Sequence, residues 1–543
     1  MDVTLDHKQL KHKHMNKITK IITLFAGMLA FAIAPSCTDL EEVLYTEIRS
    51  ENFYKTQEEV ISALAPAYGD LRWIGGIWEL NSHNTDQTLI PTRGRHWYDG
   101  GHWQRMHEHT WTSETPQING VWGYGFDRVN RANMLIYQLQ QLDHMDTDLR
   151  DQFIAELKLI RAFGYYHLID FFGNVPIVDR FDVEPGFAPP NNADFQTGRN
   201  MVFEFIETDL LNNIDNLSES NDRSTYGRFN KWAAHAMLAK LYINAEVWTG
   251  TPRWDDVITH CNAIINSNNY QLEGNYFNNF LAENSGSQEN IFVIPYDDTR
   301  TDWGLLFYWL GHHYAMQQKY NTANGPWNGF CALPSHYKSF QEEDLRRNGW
   351  LTGLQYSSTG EVLRCSEESA PNPLELTVDF INIYDEDDNA TYDHRNALEF
   401  HGPRFVKYEI SALPAWCMPN DLAIYRFADI LMLKAEAIMR KNGGAATQEA
   451  VDLVNQVRAR AFENPEENLY TTATLDIDEL LAERGREFYH EGMRRNDLVR
   501  FDKFVRGEWE FFDRSNEGDH RNVMPIPQSR INANPNLNQN PGY

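Results

Sequence analysis

Apolar side chains along this chain recur mostly at steps of three and four, the spacing that places them on one face of a helix. From Phe153 they run through Leu157, Ile160, Leu168 and Phe171, with Gly164 on the same face, and the run stops at Gly173 ahead of Asn174 and Pro176. That predicts a helix closed by a glycine and barred from continuing by a proline. A second helix is predicted from near Asn230, with Trp232, Ala236, Ala239, Leu241 and Ile243, and a partner from near Trp254, with Val257, Cys261, Ile264 and Ile265. Gly250, Thr251 and Pro252 lie between the two and close a hairpin. The same grammar returns later as helices over 422–440 and 447–462, separated by Asn442, Gly443 and Gly444, and a third over 476–504. Helix pairs that recur without a strand series predict a mainly α fold, a tetratricopeptide-like helical-repeat scaffold in which each pair buries its face on the next. Residues 282–419 break the pattern. They are rich in Gly, Asn, Asp, Trp and Tyr and hold one strand-like run at 291–295, so we expect an irregular, loop-rich insertion that carries the binding surface.

The chain begins with a different pattern. Within residues 15–37, Lys17 and Lys20 form a positive start, residues 21–33 a greasy core, and Ala34, Pro35 and Ser36 a small-residue cleavage zone ending at Cys37. The apolar run of about 13 residues falls short of the roughly 20 that a membrane-crossing helix needs. The segment therefore reads as a lipoprotein export signal over 1–36, with Met15 as the alternative start and Cys37 as the lipidated residue. Each buried methylene contributes about 0.8 kcal/mol, so several acyl chains on one residue hold where a single chain is marginal. Ala34 stands where such signals usually carry leucine, which leaves an ordinary cleaved secretory signal as the alternative. The remainder divides into an N-terminal region, 37–281, and a C-terminal region, 282–543, the latter with its insertion over 282–419.

Composition narrows the function. With 543 residues, 42% hydrophobic and 13% aromatic, the chain can bury a large core. A formal charge of −29 argues against nucleic acid, whose phosphates require a basic face. After Cys37 the cysteines are Cys261, Cys331, Cys365 and Cys417, with no Cys-x-x-Cys pair, so no disulfide framework is expected.

Four ordered blocks carry a family resemblance. Residues 155–168 with Gly173, Asn174, Val175, Pro176 and Ile177 form the first, and residues 425–437, from Tyr425 to Ala437, form the second. Residues 483–498, from Glu483 to Leu498, form the third, and the tail from Pro525 to Tyr543 the fourth. Together they resemble the SusD/RagB family of outer-membrane lipoproteins, and Asp39, Glu41 and Glu42 resemble the acidic tether that follows the lipidated cysteine in that family. The resemblance implies a lipid-anchored protein, exposed on the cell surface, that captures a nutrient, usually a glycan. It also implies a SusC-like TonB-dependent transporter as the partner that receives the cargo. No catalysis and no cofactor are expected.

The charged residues of the signature blocks read as structural. Glu487, Glu491 and Arg494 fall at steps of three and four, where opposite charges pair along a helix. Glu487 with His490 matches one Glu-x-x-His unit of a di-iron bundle, but its counterpart, Glu517 with His520, sits in a glycine-containing loop. The acidic run Asp385, Glu386, Asp387 and Asp388 lacks the loop glycine and spacing of a dedicated calcium site, and His102, His107 and His109 form a candidate metal cluster beside the aromatic loop, but no metal is expected. A pyranose presents an apolar ring face and a rim of hydroxyls, so its site needs flat aromatics beside planar polar groups. Such residues are densest over 86–111, and a second patch holds Tyr296, Trp303, Trp309, Trp327 and Trp350. The candidate ligand residues are Asp86, Arg93, Trp97, Trp103, Tyr296, Trp303 and Trp327. A peptide-binding member of the same family is the alternative. A surface glycoside hydrolase is a further one, and it would need two carboxyls facing each other in one cleft.

Overall fold

The computed structural model describes residues 57–143, 145–297, 304–366, 372–383, 390–412, 416–512 and 518–543. The export segment with Cys37, its acidic tether, Trp303, the run 385–388 and Glu517 lie outside the described residues. Residues Tyr54–Tyr543 form one compact unit. Its helices are α1 (Gln57–Gly69), α2 (Gly75–Ser82), α3 (Pro116–Gln140), α4 (Thr147–Phe172), α5 (Phe195–Leu211), α6 (Lys231–Ile243), α7 (Trp254–Ser267), α8 (Phe427–Lys441), α9 (Gln448–Ala459), α10 (Ile477–Glu487) and α11 (Arg494–Arg500), with shorter turns between. Packing runs α3 on α4, α4 on α5, α6 on α7, α7 on α8 and α8 on α9. This is the tetratricopeptide-like stack of helix pairs expected from the sequence. Among the described residues, no helix is long and apolar enough to cross a membrane.

Local chemistry accounts for the helix ends. Asn230 Oδ1 accepts from the Ala233 N–H at 2.9 Å and starts α6, while Asp476 Oδ1 accepts from the Glu479 N–H at 2.8 Å and starts α10. Gly173, at φ 69°, closes α4. Helices α3 and α4 meet through glycines: a Cβ on Gly164 would lie 2.8 Å from the Gly125 carbonyl oxygen, and one on Gly125 2.5 Å from Leu168 Cγ. The chain's tail returns to the same helix, where Asn540 Nδ2 donates to the Phe172 and Met524 carbonyls at 2.8 and 2.7 Å. Cys261, Cys331, Cys365 and Cys417 are all buried and free.

Two expectations are corrected. Residues 422–426 are not the start of a helix: Leu422–Arg426 is a strand paired antiparallel with Asn290–Ile294, and α8 begins at Phe427. Both strands are buried along their whole length, so they lack the alternation that marks a half-exposed strand. Nor is 476–504 one helix. His490 at φ 54° and Gly492 at φ 70° break it, leaving α10 and α11 as two separate helices. Helices α1, α2, α3 and α5 lie outside the helices expected from the sequence; α3 carries Asn119, Gly120, Gly123 and Gly125, which weaken the helical signal.

The break changes how the signature charges pair. Glu487, Glu491 and Arg494 were expected to pair along one helix, but they reach other elements instead. Glu487 accepts from Arg426, Arg460 and Arg346 at 3.2, 2.6 and 3.2 Å. Glu491 accepts from Lys407 at 2.5 Å and from Arg426 Nε and Nη2 at 2.8 and 2.7 Å, and Arg494 grips Asp86. Glu289 joins Arg426 to Arg460. Alongside, Arg484 binds Asp429 and Asp497, Arg500 binds Glu436 and Asp497, and Lys240 reaches Asp429 from α6. These side chains are almost wholly buried, and Arg460, Arg426 and Arg346 together hold the Glu487 carboxyl below its usual range against the opposing pull of desolvation. The other block charges are also structural: Arg161 chelates Asp209 at 2.8 and 2.7 Å, and Arg228 binds Glu156.

Removing one member of such a cluster strands the opposite charges out of water. Glu487→Ala is expected to lower unfolding stability by about 3–5 kcal/mol, read from denaturant midpoints, or to leave the chain insoluble; an unchanged midpoint would contradict the assignment. A pH effect is also expected. Burial pushes the imidazoles of His83, His109, His167, His312, His336 and His401 down to about 3 from an ordinary 6.5. The unfolded chain therefore takes up protons first as pH falls. Their contribution is complete above pH 6.5 and is lost progressively toward pH 3. Denaturation midpoints should fall between pH 6.5 and pH 4, with less slope in His336→Gln.

Candidate functional site

The loop after the strand Thr88–Leu89 and the loop before the strand Cys331–Ala332 are brought together because those strands pair antiparallel. The first loop makes a tight turn at Gly94 (φ 61°), with Arg93 and His96 bridged, and then holds Trp97 at φ 61°. A bulky residue at positive φ is strained. Here it is held by partners: Trp97 Nε1 donates to the Trp327 carbonyl at 2.7 Å, and the indole lies over Gly329, where a Cβ would sit 2.7 Å from Trp97 Cζ2. Trp103 packs edge-on behind it, with ring centroids 6.3 Å apart, and its Nε1 donates to Asp99 at 3.0 Å. On the other side Trp327 meets Trp416 at 5.8 Å, and Trp416 meets the fully buried Trp309 at 5.6 Å. The result is a row of indoles, Trp103, Trp97, Trp327, Trp416 and Trp309, buried at both ends and partly open at the three middle members. Tyr98 is 52% exposed beside the row, and His96 packs on Tyr314 with centroids 5.6 Å apart.

Arg93 supports this row from beneath. It is buried, and its guanidinium donates to the carbonyls of Asn328 (3.1 Å), His401 (3.0 Å) and Leu398. Arg404 adds bonds to Asn328 Oδ1 at 2.9 Å and the Glu399 carbonyl at 2.7 Å. The structure thus brings Arg93, Trp97, Trp103 and Trp327 together. The other candidates lie apart from them. Asp86 is chelated by Arg494 at 2.7 and 2.6 Å and lines a separate pocket of about 300 Å³ with Trp509. Tyr296 is buried and donates its hydroxyl to the Arg72 carbonyl at 2.8 Å. In the second aromatic patch, Trp309 and Trp350 are core residues. Trp416 was not among the sequence candidates, because it stands alone beside Pro414 in the irregular insertion; a lone tryptophan in a loop is the only signal it leaves.

The same geometry bears on the metal-binding and catalytic alternatives. His107 and His109 are buried and bond separate backbone carbonyls, those of Glu510 and Asn84. His313, Cys365 and Glu399 group their donor atoms within 4.8 Å. His313 Nδ1, however, accepts the Ala315 N–H at 3.1 Å, which puts the ring proton on Nε2, facing Glu399 at 3.0 Å. His313 and Glu399 are therefore engaged in hydrogen bonds, the carboxylate also accepting from the Ser366 N–H at 2.7 Å. Glu79 is pushed up to about 7 by desolvation, as a general acid would be, and lines a cavity of about 100 Å³ with Trp78, His83 and Tyr296. Among the described residues lining that cavity it is the sole carboxyl, whereas glycoside hydrolysis uses two.

Known proteins resemble this chain in sequence and in fold. A sequence model described as "SusD family" matches residues 415–543, and one described as "Starch-binding associating with outer membrane" matches residues 73–243. The chain belongs to the SusD family. It is 27% identical over 466 residues to the starch-binding protein SusD of Bacteroides thetaiotaomicron, covering 80% of each chain. It is 24% identical to the SusD-like protein P38 of Formosa agariphila, over 97% of this chain and 100% of that one. Among solved structures, it resembles surface glycan-binding protein A from Bacteroides thetaiotaomicron in complex with laminarihexaose (TM-score 0.66, 21% identity, 89% of this chain and 99% of that one). A laminarin-binding SusD-like protein gives a TM-score of 0.68 at 22% identity, over 90% of this chain and 100% of that one. These SusD-family relatives are carbohydrate-binding proteins rather than enzymes.

Proposed function

We propose that this SusD-family chain is a lipid-anchored protein of the outer membrane, exposed at the cell surface, that binds an oligo- or polysaccharide without cleaving it. The bound glycan passes to a SusC-like TonB-dependent transporter. The observation that carries the reading is the indole row: Trp97, Trp327 and Trp416 are each partly exposed, Trp97 is hydrogen-bonded to the Trp327 carbonyl, and Trp327 packs on Trp416. Flat, rigid aromatics supply large contact area to a sugar face at little entropic loss. The starch and laminarihexaose named for the relatives support a glycan as the ligand class. The cysteine at 37 and the outer-membrane description of one matching family support the location.

Calorimetry against a panel of neutral and acidic glycans tests this. Trp327→Ala and Trp416→Ala should each weaken the best ligand by about tenfold or more, with unchanged thermal melting. Uniform silence toward glycans from a folded protein would refute the reading, and binding of oligopeptides in its place would move the chain to the peptide-binding branch. Sugar release abolished by one carboxyl substitution would make it a hydrolase. Mass spectrometry of the protein from its native membrane should find Cys37 as the N-terminal residue carrying acyl chains, and Cys37→Ala should release the protein into the soluble fraction.

A further inference from the structure

A second groove lies on the helical scaffold, built from residues that the indole row does not use. Asn119, Gly123, Asp127, Asn130 and Met134, spaced by three and four, put one face of α3 on its floor. The groove encloses about 670 Å³ and continues into a neighbour of about 630 Å³, with Asn130, Phe181 and Arg530 shared between them. Both volumes fall in the range of small-molecule sites.

Three observations indicate what it takes. First, Trp73 on one wall is 66% exposed and Phe181 at the junction is 48% exposed, so flat apolar faces stand in water beside the amides of Asn119 and Asn130. That is the pairing a sugar ring and its hydroxyls require. Second, the charge is reversed from the rest of the molecule. Four arginines, Arg128, Arg131, Arg180 and Arg530, against two aspartates, Asp70 and Asp127, leave two positive charges in surplus on a chain of net charge −29. Arg131 is held by Asp70, but Arg180 is exposed, and Arg530 spends only its Nε on Asn119 at 3.0 Å. In the adjoining groove Arg180 and Arg530 are the only charged lining residues among those described. Third, Gly120 and Gly123 sit inside α3, where glycine is a poor helix former. A Cβ on Gly120 would meet nothing within 4 Å, and one on Gly123 would meet only Arg530 Nη2 at 3.6 Å. Packing does not demand these glycines, unlike Gly125 and Gly164 deeper in the same helix pair. They keep the floor low for something that lies on it.

We propose that this groove is a second glycan site, separate from the indole row, and that it takes an acidic saccharide, with Trp73 and Phe181 against the sugar rings and Arg180 and Arg530 on uronate carboxylates or sulfate esters. Bidentate guanidinium recognition suits both anions, so the two sources are separated by experiment. The protein is titrated calorimetrically with an oligogalacturonate, a sulfated galactan oligosaccharide and a neutral laminari-oligosaccharide. At least one acidic ligand should bind, weaken about tenfold or more in about 0.5 M NaCl, and weaken by a similar factor in Arg530→Ala and in Trp73→Ala. Both substituted residues are exposed, and Gly120→Leu, which fills the floor, provides a third variant should Trp73→Ala fold poorly. Trp327→Ala should leave this binding intact. The galacturonate and galactan arms decide between carboxylate and sulfate. Failure of both acidic ligands, equal groove binding of the neutral one, or binding lost in Trp327→Ala but retained in Arg530→Ala would each overturn the proposal. Failure of the indole-row reading would appear separately, as neutral-glycan binding indifferent to Trp327→Ala.

Discussion

The rest of this structure depends on satisfying a lattice of charges that the fold takes out of water. Glu289, Arg346, Lys407, Arg426, Arg460, Glu487 and Glu491 come from strands, loops and helices far apart in sequence, and none can be stable there without the others. Isolated buried ions cost several kcal/mol each even after relaxation, so partial assembly is penalised. The lattice is therefore weak evidence for stability beyond an apolar core and strong evidence for a single register. It fixes the strand Leu422–Arg426 against Asn290–Ile294 and α10 against α11, and it determines where the irregular insertion re-enters the helical body.

From that body the proposed binding surface is presented by loops whose positions are set from below. The strand pair Thr88–Leu89 and Cys331–Ala332 aligns the two loops, and Trp97, forced to positive φ, is retained by the carbonyl and the glycine of the opposite loop. The tetratricopeptide-like stack contributes a different kind of surface, the open face of α3. The molecule thus has loop-built aromatic chemistry at one place and helix-built mixed chemistry at another.

Much of this was legible in the residues. The helix pairs around Phe153 to Phe171, Asn230 to Gly250 and Trp254 onward announce themselves through period, caps and glycine stops. Trp97, Trp103 and Trp327 stand out because indoles interleaved with glycines mark loops that face something flat. What was illegible has physical causes. Five buried residues at 422–426 read alike as strand or helix, and the kink at His490 requires knowing that Phe330 and Phe405 crowd its ring, with centroids 4.5 Å away in each case. Helix α3 hides because its groove face is polar and glycine-bearing. Arg93 lies among the loop aromatics like a ligand contact, yet its guanidinium turns inward to carbonyls, a direction that no spacing rule encodes.

That inward turn has a consequence for how the surface recognises anything. One planar cation ties Asn328 and the turn holding Leu398 and His401, two stretches of otherwise irregular chain, to the loop that carries Trp97. The loops are thereby preorganised as a single plate, and the entropy of ordering them is lost during folding instead of at the encounter with a ligand. New specificities can then arise by exchanging the side chains that decorate the plate, provided the hidden guanidinium clamp is inherited unchanged.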